Sequence, residues 1–135
     1  MSTEKLLRVD APPDDVDLVH RVVEELWVAE PSVSAADRMA FETALIELAG
    51  NVIRHADTGT GVVCTIHLAV TDDGLTATLS DSSERGGVAL TGIAMPAADA
   101  ESGRGLAMVE ALTDEFRYDR VDGRNRWEIV RRRTT

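Results

Sequence analysis

Cysteine, aromatic residues, positive charge and long apolar runs are all scarce in this chain. Cys64 is the single cysteine, which excludes an intrachain disulfide. It falls in an alternating apolar run and reads as a small core residue. Two Trp, one Tyr and two Phe are the whole aromatic complement of 135 residues, so the core has to be built from Leu, Val, Ile and Ala. Acids outnumber bases to a formal net charge of −10. Such a surface repels phosphate, so neither general nucleic-acid binding nor a nucleic-acid partner is expected, while a basic protein partner suits it. No stretch approaches the roughly 18 apolar residues of a membrane span, and no membrane association is expected. The opening MSTEKLLRVD holds no long apolar run, so the expectation is a cytoplasmic protein without a secretory signal.

What remains is the composition of one folded domain covering residues 1–135, with 44% apolar and 28% charged residues. The basic residues are unevenly spread, seven of the fourteen lying between Arg117 and the C-terminus. The run Arg131-Arg132-Arg133 reads as a solvated tail.

Periodicity orders the chain as β α α β β, loop, α β β. Residues 5–10 alternate weakly as a first strand, and Asp14 or Asp15 caps the helix after Pro12-Pro13. Val16, Val19, Val22, Val23 and Leu26 give that helix its apolar face, ending near Glu30-Pro31. Ser34 is the N-cap of a second helix reaching about Ala56, with Asp37 completing a partial capping box. Residues 62–70 and 75–80 are strands joined at Asp73-Gly74, and residues 115–121 and 126–130 are strands joined at Asp122-Gly123. His67, inside the first of these strands, reads as a surface residue. Hairpins outnumber crossovers, so the expected fold is an α+β two-layer sandwich: a mixed, mainly antiparallel sheet with about three helices on one face.

Three places carry chemistry. The segment Phe41 to Ala56 puts Phe41, Ala44, Leu45, Leu48 and Val52 within roughly 60° of one another on a helix. Glu47, Asn51 and His55 follow at roughly 240°, 280° and 320°, an acid, an amide and an imidazole along one edge of the apolar stripe. By itself such a row is what any amphipathic helix has. Asp81 closes a strand and opens an aperiodic stretch from Ser82 to Ser102, of the kind that forms a lid or a binding loop. Gly103-Arg104-Gly105-Leu106 then leads into a third helix, where amides at a helix N-terminus suit a phosphate and Arg104 adds a cation.

These three signals, in this order, resemble the GHKL ATPase superfamily with its Bergerat ATP-binding fold. Within it the chain looks most like the bacterial anti-sigma-factor serine kinases of the SpoIIAB/RsbW type. The strongest match is ELAGNVIRHA at 47–56 together with ESGRGLAMVEAL at 101–112. The resemblance implies that Asn51 binds the Mg²⁺ bridging the phosphates of ATP, and that Glu47 is the general base taking the proton of a Ser or Thr hydroxyl. It implies that His55 lines the phosphate site and that Asp81 recognises the adenine amino group. Gly103, Arg104, Gly105 and Leu106 match the second glycine box, which contacts phosphates and holds the lid at about 82–102. The resemblance implies in addition that Arg104 contacts the partner protein or stabilises the transferred charge. The family's first glycine box, Asp-x-Gly-x-Gly, reads Asp81-Ser82-Ser83-Glu84-Arg85 here, so the resemblance implies that Ser83 and Arg85 bring side chains where the nucleotide would meet bare backbone, with Gly86 and Gly87 following one step late. A threonine near the last strand is replaced by Asn125.

The implied function is an ATP- and Mg²⁺-dependent serine/threonine protein kinase that acts as an anti-sigma factor. It would sequester a sigma factor, phosphorylate a STAS-domain antagonist and form a homodimer. The alternative is a binding module of the same fold without phosphotransfer; the altered first glycine box favours it, and Glu47 with Asn51 opposes it. A metabolic or nucleic-acid enzyme of another kind finds no Walker A sequence, nucleophile elbow or Cys/His metal cluster to rest on.

Overall fold

The computed structural model describes residues 2–56, 61–81 and 100–134; of residues 55, 56 and 100–104 it describes the backbone alone. The elements run β1 (Thr3–Ala11), α1 (Val16–Ala29), α2 (Ala35–Ala56), β2 (Val62–Val70), β3 (Gly74–Asp81), α3 (Ala100–Leu112), β4 (Glu115–Val121) and β5 (Arg124–Arg132). The order is the one periodicity predicts. The five strands form one sheet in the order β1-β2-β3-β5-β4, and every pairing is antiparallel. The parallel pair that a mixed sheet would need is absent among these strands.

Local chemistry explains the ends of the elements. Asp15 caps α1 by accepting from the Asp17 N–H at 2.9 Å, and Ser34 Oγ accepts from the Asp37 N–H at 3.1 Å to cap α2. Asp122 and Gly123 both take positive φ, 53° and 76°, which gives the β4–β5 turn the twist its strands require. At the β2–β3 turn, Thr71 Oγ1 accepts from the N–H groups of Asp73 and Gly74.

The apolar stripe of α2 is the centre of the core. Phe41, Ala44, Leu45, Leu48 and Val52 are all completely buried, against Ile66, Leu68, Leu75, Leu79 and Ile129 of the sheet. Burial alternates along β2 and β3, so one sheet face carries the helices. Across that face the rows are in register. One runs Leu7, Ile66, Leu79, Trp127, Tyr118 and the next runs Val9, Cys64, Asp81, Asn125, Arg120. The second row becomes polar from β3 onward, so the sheet itself delivers a polar cluster to the covered face.

Polar contacts hold the helices in place. Glu42 on α2 accepts from Trp27 Nε1 at 3.0 Å and pairs with His20 Nδ1 at 2.8 Å, both on α1. Asp37, buried in the first turn of α2, accepts from Arg131 Nε at 2.9 Å and from the Thr134 N–H and hydroxyl at 2.9 and 3.0 Å. Arg131 also donates to the Leu112 carbonyl at the end of α3. Arg133 donates to Thr71 O and Ser32 Oγ. The expected solvated tail is therefore not what the chain makes. Arg131 shares the inward face of β5 with Ile129, and its charge is taken up by Asp37. That acid binds the tail as well as the Ser34 cap. His67 lies where expected, paired with Glu4 on the uncovered face.

Candidate functional site

Glu47 and Asn51 sit one turn apart on α2, at the edge of its buried stripe. Asn51 is completely buried. Its Nδ2 donates to the Glu47 carbonyl at 2.8 Å, and its Oδ1 accepts from Arg54 Nη2 at 3.0 Å. Against this pair lies Gly105 of α3. A Cβ built on Gly105 would stand 2.8 Å from Glu47 Oε2 and 3.3 Å from Asn51 Nδ2. Only a residue without a side chain lets the two helices come this close without moving the carboxylate. The two strongest sequence signals thus meet at one point.

The glycine run does not open the helix, as periodicity suggests. The helix α3 begins at Ala100, so Gly103, Arg104 and Gly105 lie inside it. Gly105 serves helix-to-helix approach, and the amides of the N-terminal turn belong to the residues that follow Ala100. Leu106 is buried in the core and anchors the helix there. The backbones of His55 and Arg104 are helical; their side chains lie outside the described residues, as does the whole of Ser83.

A second cluster lies on the inner face of the sheet. Asp81 is completely buried and Asn125 nearly so. They face each other across the β3–β5 ladder, and Asn125 Nδ2 donates to Asp81 Oδ1 at 3.3 Å. On its other side Asn125 Oδ1 accepts from the Tyr118 hydroxyl at 2.6 Å and from Arg120 Nη1 at 2.7 Å. Trp127, one inward position along β5, packs against Tyr118 with ring centroids 5.4 Å apart and the ring planes tilted by 46°. Its buried indole N–H has no hydrogen-bond partner among the described residues. Cys64, opposite Asp81 on β2, feels this environment. Burial pushes its thiol up to about 12, and the Asp81 carboxylate adds to the rise.

Two grooves flank Glu47. One, of about 350 Å³, is lined by His20, Met39, Glu42, Thr43, Ile46 and Glu47. The other, of about 300 Å³, includes Asp15, Val16, Gly50, Ile53 and Arg54 beside the same Ile46 and Glu47. Glu47 is thus open to a molecule arriving over α1 and α2.

These residues suit a magnesium nucleotide. A buried carboxylate beside an amide donor complements the edge of a purine. The Asn51 oxygen is a hard ligand of the type Mg²⁺ takes, and the missing side chain at Gly105 leaves room for the Glu47 carboxylate beside it. Arg54, which sequence reading passed over, occupies that Asn51 oxygen here; its place three residues after Asn51 on the same helix face was the available signal. Among the described residues no three His, Cys, Asp or Glu side chains gather into a metal cluster, and no helix is long and apolar enough to cross a membrane.

Comparison with curated proteins finds no match. The family model of the histidine kinase-like ATPase domain matches residues 9–130. That match runs from β1 to β5 and takes in every element that builds the two clusters; the chain belongs to this family.

Proposed function

We propose that this chain is an ATP- and Mg²⁺-dependent serine/threonine protein kinase that acts as a cytoplasmic anti-sigma factor. Its substrate would be a STAS-domain antagonist, and its second partner a sigma factor held by the acidic surface. The observation that carries the reading is the close approach of Gly105 to Glu47 and Asn51, because it sets a candidate base and a candidate metal ligand against the same residue of the glycine segment.

In this reading Asp81 accepts from the purine amino group and Asn51 Oδ1 supplies a ligand to the metal once Arg54 has turned away. A metal held there would supply positive charge against the phosphates. Glu47 takes the hydroxyl proton of the incoming Ser or Thr, which reaches it through the grooves beside α1. Arg104 steadies the charge on the transferred group. His55 and Ser83 line the nucleotide. A homodimer is part of the proposal.

The test is calorimetry with ATP and Mg²⁺ on the chain and on Asn51→Ala, followed by transfer of labelled phosphate to a STAS protein. Tight binding that collapses in Asn51→Ala, with transfer abolished in Glu47→Ala, is the expected result. A second reading, a partner-binding module without phosphotransfer, draws on Ser82 and Ser83 standing in the first glycine box and on Arg54 occupying Asn51 Oδ1. Tight partner binding with no transfer at any Mg²⁺ concentration would favour it.

A further inference from the structure

The amide of Asn125 is gripped at both ends. Oxygen and nitrogen of an amide are nearly equal in size, so its orientation is set by its partners and not by shape. Here the oxygen accepts from Tyr118 and Arg120, and the nitrogen donates to Asp81. Two donors on one side and a carboxylate on the other permit a single orientation. The sheet enforces the arrangement: Arg120 is in register with Asn125, Asn125 with Asp81, and Tyr118 with Trp127, against whose ring it packs.

We propose that Tyr118 and Arg120 are positioning residues that set purine selectivity by holding the donor end of Asn125 beside Asp81. The inference rests on the nucleotide reading given above. Asp81 and Asn125 together present an acceptor next to an N–H. Adenine offers the complement, an amino donor at C6 and an acceptor at N1. Hypoxanthine offers the reverse, a carbonyl at C6 and an N–H at N1. With the Asn125 oxygen pinned, the amide cannot turn that oxygen toward the N–H at N1. Once the oxygen is released it can, which removes the penalty at N1 while the Asp81 carboxylate still opposes the C6 carbonyl, so discrimination shrinks before the fold is lost.

The experiment measures equilibrium binding of ATP and ITP to the full chain and to Tyr118→Phe, Arg120→Met and Arg120→Lys. ITP differs from ATP only at the edge in question. The chain is expected to prefer ATP by about 50-fold or more, since a site built to hydrogen-bond one edge rejects its reverse. Tyr118→Phe and Arg120→Met are each expected to shrink the ATP-to-ITP ratio about three- to tenfold, and Arg120→Lys to restore part of it. An unchanged ratio overturns the assignment, including the case where both affinities fall together, as a purely structural role would require. If the unsubstituted chain binds neither nucleotide, the nucleotide reading itself fails and takes this assignment with it; that outcome is visible before any variant is compared.

Discussion

Gly105 of α3 and Glu47 of α2 are so close that a methyl group on the glycine would stand 2.8 Å from Glu47 Oε2. The atom it would strike is the far end of a flexible side chain, so the carboxylate and not the helix has to give way. Gly105→Ala is therefore expected to keep the fold. The helix gains up to about 1 kcal/mol from replacing an interior glycine, against a small loss from crowding. In the proposed role of Glu47 as base, phosphotransfer is expected to fall at least tenfold, about 1.4 kcal/mol or more in the barrier, because the displaced carboxylate would miss the proton. Urea melts alongside single-turnover transfer would show it; a large loss of stability with transfer intact would contradict the placement.

Arg54 holds the Asn51 oxygen that the metal would need. Replacing it by Ala removes the competitor and is expected to lower the Mg²⁺ concentration for half-maximal nucleotide binding by about three- to tenfold, the worth of one charge-assisted hydrogen bond or slightly less. Magnesium titration at fixed nucleotide reads this directly. A rise in the required concentration would mean that Arg54 assists binding.

Asp37 ties α2 to the C-terminal strand. Burial raises its pKa, but the hydrogen bonds from the Thr134 N–H, Arg131, the Thr134 hydroxyl and Ser34 outweigh it and hold the carboxyl below its ordinary value. An acid whose folded pKa is depressed stabilises fully above its unfolded value of about 3.9 and loses that contribution as pH falls through the folded value. Asp37→Ala is expected to cost about 3 kcal/mol at neutral pH, since it strands Arg131, only 21% of whose side chain is exposed. The gap between the two proteins in denaturant melts should narrow once the pH drops below about 4. A gap constant with pH would show that the charge is not what matters.

Cys64 is buried with its thiol raised to about 12. The thiolate is the reactive form, so iodoacetamide at pH 8 is expected to leave the folded chain unlabelled and to label it in urea. Mass spectrometry decides it; rapid labelling of the folded chain would place Cys64 at the surface.

Most elements were legible because each declares itself locally. The five residues assigned to the α2 stripe are all fully buried, since a 3.6-residue period needs only one apolar layer to dock on. Ser34 and Asp15 cap as their types suggest, and both Asp-Gly turns lie where strands reverse. The site was partly legible. Glu47 and Asn51 lie on the predicted edge, and Asp81 closes its strand facing inward. The start of α3 was misjudged because two glycines close together look like a loop, whereas packing against α2 supplies what their helix propensity lacks. Arg131 looked like tail because its partner, Asp37, lies near the other end of the chain.

The order of residues by itself settled the type of every element and which face of most is apolar, though not where α3 begins, because those properties depend on neighbours a few residues away. Only the folded molecule decided that Gly105 touches Glu47, that Arg54 caps the Asn51 oxygen, and that Tyr118 and Arg120 orient Asn125. The first joins two helices, and the last is set by the register between β4 and β5. Even the Arg54 contact, short in sequence, selects one orientation of a long side chain from several, the one that reaches the buried Asn51. Such choices follow from packing and partners in three dimensions, which no periodicity encodes.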